Sequence, residues 1–587
     1  MSRELWKSQL EQNYGDVPGL TPAFIEQCLK ICQTYDLSGE DVFFKWEASI
    51  LHKDRIITDD TIGNIEAVVK SDLARAAKQR AQQQARSIAS SRGGRPGMNP
   101  FIGTPSRSST RVGPIGSPST PRTPMPKARG VAFSTPAAAG KHKVRFELSE
   151  EDSGKARSYK YMYEKFSQRG LVLDNRIMEF SDLILKHYDL PAFSEPHLTT
   201  DEDVYVLGRI VLDAESSASI GVKLNEASLY LEGPRLMEAT RVRLRLEPNL
   251  RVRGAPKGRS NIGMFPGAIV VMKGRNGGGD YFSVNEILSI PPPSPISAQS
   301  DRQIKAEPSS DSFSMIVACG PFTPDSDLEF RPWKTLMERI RTNRPDVVLL
   351  LGPFLDSLHS KMKVGDIDEF PEEIFARVFA QDLVDLHSYS PSTLVLLLPS
   401  IRDAVHNHTT YPQAALPNHL VESPNVRMIP NPAHFTINGV SFGASSVDSL
   451  FHVKKEEYTK SGIEIQPSQV PAESSATDVM SNLCRQLLAQ RSFYPVFPTP
   501  MDVAHEVNLD VSHLELARIT TQTFSGETVA PDVLVVPSRY KQFVKNVDHT
   551  MAINPSFATK GMVASVFYGG AGDGPASSRL KIELEKL

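Results

Sequence analysis

DSFSMIVACGPFTPDSD (Asp311–Asp327) and RPDVVLLLGPFLDSLH (Arg344–His359) decide the reading of the C-terminal half. Each holds an apolar run that stops at Gly-Pro-Phe. Unbroken apolar strands, as opposed to alternating ones, belong to a sheet covered on both faces. The pattern returns in TLVLLLP (Thr393–Pro399) and DVLVVP (Asp532–Pro537), with helical stretches such as WKTLMERIRTN and DVMSNLCRQLLAQR between the strands. Residues 313–587 therefore read as a layered α/β domain. In such domains chemistry gathers at strand ends, here Ala318, Cys319 and Gly320, then Gly352 and Pro353.

Upstream, the hydrophobic period switches to two. DVYVLGRIVLD, IGVKLNEASLYLEG, TRVRLRLE, GAIVVMKGRN and YFSVNEILSI are strand candidates between Asp203 and Ile290. Val242, Leu244 and Leu246 share one face. Short strands at this density predict an OB-type barrel over 203–290. Such barrels bind single-stranded nucleic acid by stacking bases on aromatic side chains. The strand aromatics here are mainly Tyr205, Tyr230, Tyr281 and Phe282, and along the sequence they are not interleaved with a basic stripe. RVRGAPKGR (Arg251–Arg259) is a basic loop able to meet phosphate. DNA binding by the barrel is expected to be weak at most. Residues 151–202 read as a helical lead-in and 291–312 as a Pro/Ser-rich connector.

The N-terminal 85 residues read as short amphipathic helices forming a small docking domain. Ser38 and Asp41 have capping-box spacing. Cys28 and Cys32, four apart on a helix, fall on one face and read as a buried apolar pair. Residues 86–150 read as a disordered linker: from Arg86 to Arg145 there are 11 Lys or Arg and no Asp or Glu. It carries Ser/Thr-Pro pairs at Thr104, Ser117, Thr120, Thr123 and Thr135, candidate phosphorylation sites that would offset the basic charge. The net charge of −3 points to neither nucleic acid nor membrane. Four scattered cysteines suit a reducing compartment. No apolar run approaches membrane-spanning length and the N-terminus lacks a signal-peptide core, so an intracellular, soluble chain is expected.

The layered sheet read from these runs resembles that of metallophosphoesterases of the calcineurin type. Their two-metal sites take Asp-x-His from the first strand tip, Gly-Asp from the second, Gly-Asn-His from the third and Gly-His-x-His from a later loop. Carboxylates and imidazoles there hold the two ions. This sequence departs at every tip. Ala318 and Gly320 stand at the first, Pro353 follows Gly352 at the second, and Ser400-Ile401-Arg402-Asp403 ends the third. Pro537-Ser538-Arg539-Tyr540 stands where Gly-His-x-His would lie. Only Ile553–Ser556, INPS, resembles a turn of those enzymes. Ala318, Gly320, Pro353 and Arg402 are thus expected to be lost metal-ligand positions, with no catalytic residue, metal or cofactor.

MIVACGPFT, DVVLLLGPFLD, PSIRDAVH followed by YPQ, PNPAHFTINGVSFGASSVD, AINPSFATKG and FPGAIVVMKGRN together resemble the B-subunit family of the replicative DNA polymerases, nearest to that of polymerase alpha. The resemblance implies a multidomain α+β protein: an N-terminal helical domain, a linker, an OB barrel and an inactive calcineurin-like phosphoesterase domain. It implies a non-catalytic nuclear scaffold that holds the C-terminal zinc-bearing domain of the polymerase alpha catalytic subunit. Through that subunit it would reach primase, and its N-terminal domain would dock other replication factors. The alternatives are a B subunit of polymerase delta or epsilon, a free-standing nucleic-acid-binding protein, or a phosphodiesterase with a relocated site. That last site would draw on His406, His408, Asp356, Asp403, His434 and His549. Arg402 and Asp403 are otherwise expected to form a structural polar pair.

Overall fold

The computed structural model describes residues 3–14, 21–35, 38–49, 57, 62, 144–149, 152, 157, 163, 165–213, 223–235, 240–258, 260–295, 312–468, 478–522, 528–570 and 576–587. The five Ser/Thr-Pro sites, and most of the polar segment that follows the N-terminal helices, lie outside these. The chain divides into two compact units, Met1–Ala132 and Phe133–Leu587.

The first unit contains helices α1 (Arg3–Tyr14), α2 (Pro22–Tyr35) and α3 (Gly39–Ser49). Their apolar stripes meet around Leu10, Tyr14, Cys28, Cys32, Val42 and Trp46. The Tyr14 ring sits edge-on to Phe24 and Phe43, 5.3 and 4.9 Å away. Cys28 and Cys32 are buried free thiols that fill this core, and burial pushes both upward, to about 12 and about 11. The helix α3 capping box is present: the Asp41 amide donates to Ser38 Oγ (3.0 Å) and the Ser38 amide to Asp41 Oδ2 (3.1 Å).

In the second unit, helix α4 (Phe166–Tyr188) packs on a barrel of β2 (Thr200–Leu212), β3 (Leu229–Glu232), β4 (Arg241–Arg253), β6 (Ile269–Asn276) and β7 (Tyr281–Leu288). The sheet order β4-β3-β2-β6-β7 closes by a parallel β4–β7 pairing, which is OB topology. Along β4, Val242, Leu244 and Leu246 point inward and Arg241, Arg243 and Arg245 outward, as the alternation predicts.

The C-terminal part stacks two six-stranded sheets. One runs β12 (Val426–Met428), β11 (Leu394–Leu398), β10 (Val347–Leu351), β9 (Phe313–Cys319), β22 (Met562–Tyr568), β23 (Leu580–Lys586). The other runs β1 (Phe146–Leu148), β13 (Ala433–Ile437), β14 (Val440–Ala444), β19 (Val533–Val535), β21 (Thr550–Asn554), β20 (Phe543–Val547). The apolar runs are explained by this arrangement. Val347, Leu349 and Leu351 face the second sheet, while Val348 and Leu350 face helices built around Trp333, Phe375 and Phe379. Every position of β10 is buried.

Several features depart from or add to the sequence reading. Arg251–Arg253, read as the start of a basic loop, are the end of β4, where they pair with β7. Phe146–Leu148, placed at the end of the linker, is an edge strand antiparallel to β13. One segment that follows the helix Ser449–Glu456 makes two backbone ladders with the barrel, and a second helix shares its core. β15 (Tyr458–Ser461) pairs with β5 (Asn261–Met264), and β16 (Ile463–Ile465) extends the barrel sheet beside β4. The second helix is Val479–Ala489, whose Leu483, Cys484 and Leu487 share one core with barrel residues such as Val206, Leu231 and Phe282. Beyond its end, the Gln490 amide acts as a piece of strand: Oε1 accepts from Ile269 N (2.9 Å) and Nε2 donates to Ile269 O (2.8 Å). Two short strands, β8 (Ser294–Pro295) and β18 (Thr528–Ala530), with β17 (Thr521–Gln522), complete the set.

Candidate functional site

Register brings the predicted tips together. Leu351 lies opposite Cys319 on one side and Leu398 on the other, so β9, β10 and β11 end at one level. The chain then locks the tips to each other. The Gly320 amide donates to Leu351 O and the Gly352 amide to Leu398 O, both at 2.8 Å. A Cβ on Gly320 would lie 2.0 Å from Pro353 O, and one on Gly352 would lie 2.3 Å from Asp403 Oδ2 and 2.7 Å from Ser400 N. Ala318, Gly320, Pro353 and Arg402 therefore do converge, but backbone and one carboxylate fill the space between them.

That carboxylate, Asp403, is buried and ties two tips. Oδ1 accepts from the amides of Phe354 and Leu355, and Oδ2 from the amide of Ser400 (2.7 Å). Burial pushes it up to about 7, with the three amides pulling the other way. Arg402 does not pair with Asp403. Its Nε donates to Asp356 Oδ1 at 3.0 Å and its Nη2 to Asp356 Oδ2, a two-pronged ion pair. The neighbour in sequence is the wrong partner because Asp403 points back beneath the loop while Arg402 reaches across to the β10 tip.

The histidines are engaged elsewhere. His406 Nε2 donates to Ala414 O (2.8 Å) and its Nδ1 accepts from the His408 amide (2.8 Å). With one ring nitrogen donating and the other lone pair taken, His406 has none left for an ion. His434 lies apart from this pair: its amide donates to Asp152 Oδ2, Nδ1 faces the same oxygen at 3.2 Å, and Nε2 faces Ile519 O at 3.1 Å. Asp152 also pairs with Arg157, whose guanidinium donates to Pro432 O (2.9 Å). Burial opposes ionisation of Asp152, but His434 and Arg157 hold it below the ordinary carboxylate range. His549 sits on the turn between β20 and β21. Among the described residues, no three His, Cys, Asp or Glu side chains are placed to share a metal ion.

A second arginine, Arg539, stands on the later loop. It donates to Asp448 Oδ2 (3.1 Å) and to Glu506, and stacks on the Phe451 ring 4.0 Å from its centroid. Burial opposes ionisation of Glu506, yet the His452 hydrogen bond and Arg539 outweigh it and bring the carboxyl to about 2. The INPS turn is held by Asn554, whose Oδ1 accepts from the amides of Ser538 and Ser556, both at 2.9 Å. Sequence reading missed Asp448, Glu506 and Asp152: Asp448 and Glu506 have distant partners, and Asp152, though it pairs with nearby Arg157, gets its role from His434, 282 residues on.

Residues 315–545 match the family profile of the DNA polymerase alpha/epsilon B subunit, and residues 171–290 match that of the OB domain of the DNA polymerase alpha B subunit. The chain is 30% identical over 567 residues to the DNA polymerase alpha B subunit of Schizosaccharomyces pombe, covering 92% of each. It is 30% identical to the Saccharomyces cerevisiae protein of that name, over 68% of this chain and 58% of the other. The Rattus norvegicus protein of that name is 28% identical, over 76% and 67%. With such identity running through nearly the whole of both chains in the first comparison, the protein belongs to the family of DNA polymerase alpha B subunits.

Proposed function

We propose that this chain is a non-catalytic accessory subunit of DNA polymerase alpha, acting as a scaffold during primer synthesis. Residues 313–587 are read as a calcineurin-like phosphoesterase layer whose metal site was lost at Ala318, Gly320, Pro353 and Arg402. The observation that carries this reading is the contact between tips: glycine is required where the backbone of one tip touches the next. Two arginines support it. Arg402 and Arg539 stand on the loops where those enzymes place histidines, and each holds a carboxylate by its own fixed positive charge.

The barrel and the sandwich together would grip the C-terminal zinc-bearing domain of the catalytic subunit, and through it reach primase. A permanent interface of upward of ~2,000 Å² needs large folded surfaces, which the second unit offers. The N-terminal helices would dock other replication factors. In the nucleus, phosphates at Thr104, Ser117, Thr120, Thr123 and Thr135 would offset the basic linker, each adding about −1.5 to −2 charges. Affinity purification of the chain from dividing cells tests the assignment. The polymerase alpha catalytic subunit and primase should be recovered in stoichiometric amounts, and a fragment 144–587 that keeps β1 should retain them while 1–143 does not. Recovery of the delta or epsilon catalytic subunit instead, or retention by 1–143 alone, would overturn it.

A further inference from the structure

Read along the chain, the barrel aromatics are separated from the basic residues. Read across the sheet, they are not. The register sets Tyr230 of β3 opposite Arg243 of β4, and Arg243 opposite Tyr281 of β7. All three alternate with buried neighbours: Leu229 and Leu231, Val242 and Leu244, and Phe282 point into the barrel. The outward face therefore carries a Tyr–Arg–Tyr row, at the ~4.8 Å spacing of adjacent strands. Arg241, Arg243 and Arg245 repeat along β4 at about 6.8 Å, the two-residue rise of a strand. Arg245 lies over the Tyr281 ring, 5.4 Å from its centroid, with Nη1 3.3 Å from the phenol oxygen. Tyr281 is 40% exposed.

Of the carboxylates nearby, Glu232 pairs with Arg209 and Arg241, while Glu247, next along the same side of β4, accepts from the Ser283 hydroxyl and bounds the arginine row at that end. Among the described residues no carboxylate is paired with Arg243 or Arg245. The far end of β4 and the loop that follows it are in the opposite condition. Arg251 and Arg253 face buried Glu286 at 3.4 and 2.6 Å, and the Gly258 amide donates to Glu464. Two arginines of the segment that sequence reading favoured thus share a buried carboxylate, while Arg243 and Arg245 on the strand face it passed over have none.

We propose that the outer face of β3, β4 and β7 is a binding site for single-stranded nucleic acid, with Arg243 and Arg245 on phosphates and Tyr230 and Tyr281 as stacking platforms. A row of rings and guanidinium planes accepts any base, since every base has a π-face. A duplex would hide those faces. An acidic peptide would use the arginines but not the tyrosines, and this separates the two occupants experimentally.

The test is anisotropy of a labelled oligothymidylate with the full-length chain, across a salt series, beside photocrosslinking of an iodouracil-substituted strand. Because the linker is also basic, the tyrosines give the decisive arm. Tyr281→Ala, which leaves the charge unchanged, should weaken binding about tenfold. Arg243→Gln with Arg245→Gln should lower the salt slope by roughly 1.4, at about 0.7 per phosphate contact. Crosslinks should map to Tyr230 or Tyr281. Crosslinks confined to residues 86–145, unchanged affinity in both variants, or equal competition by poly-glutamate with no effect of Tyr281→Ala would each overturn the proposal.

Discussion

Gly320→Ala is the smallest change that tests whether the strand tips are closed to chemistry. The added methyl would sit 2.0 Å from Pro353 O and 2.9 Å from Pro353 C, with Phe322 Cδ2 at 3.2 Å. Ordinary contact begins above about 3.4 Å, so the tips must part by more than an ångström, and the obstacle is backbone. Overpacking of a tight site costs about 1–3 kcal/mol. Displacing Gly320 from Leu351 O forfeits a buried hydrogen bond worth roughly 1 kcal/mol more. The sum, about 3 kcal/mol, should lower the sandwich transition by roughly 6–12 °C at 2–4 °C per kcal/mol. Thermal unfolding of the full chain, followed by hydrogen exchange at residues 349–355, measures it. Gly277→Ala is the control: the nearest atom to its Cβ is 3.7 Å away, and a change within about ±0.5 kcal/mol is expected. If Gly320→Ala melts within about 2 °C of wild type, the tips separate readily and the argument that their contact excludes an ion fails.

Glu506 supplies a pH dependence. Its folded value of about 2 lies below the ordinary 4.5, so its contribution is full above about pH 4.5 and is lost as pH falls toward 2. Allowing for its partial exposure, roughly 2 kcal/mol is involved. Glu506→Gln should flatten that part of the acid-stability curve, and an unchanged curve would refute the assignment. Arg157→Met breaks a buried ion pair and should cost about 3–5 kcal/mol. Amide exchange in Phe146–Leu148 should speed up, and unaltered protection there would show that Arg157 does not anchor this edge.

What could be read in advance was whatever repeats locally. Val242, Leu244 and Leu246 announce β4 because burial alternates with the pleat. Val347–Leu351 announces a doubly covered strand because both its faces meet core. Ser38 and Asp41 lie within one turn, and their box was legible from spacing alone. The rest depends on partners distant in the chain. Arg402 finds Asp356, 46 residues back, and not its neighbour. Phe146–Leu148 is too short to stand out beside a basic linker and becomes a strand only when β13 supplies its ladder. Tyr230, Arg243 and Tyr281 look scattered until the barrel register sets them side by side. At the site, the residue types of the strand tips were visible in the sequence, but the crowding between the tips was not.

The ladders from β15 to β5 and from β16 to β4 have a mechanical consequence. Both ladders belong to one segment, Tyr458–Ile465, which continues from the helix Ser449–Glu456, and Leu450 and Val453 of that helix share the barrel's core. Backbone pairing and shared core together resist the rotation that a flexible connector would allow between barrel and sandwich. A domain seated on both would take its bearing from one frame. The freedom to search for other factors would then have to come from outside that frame.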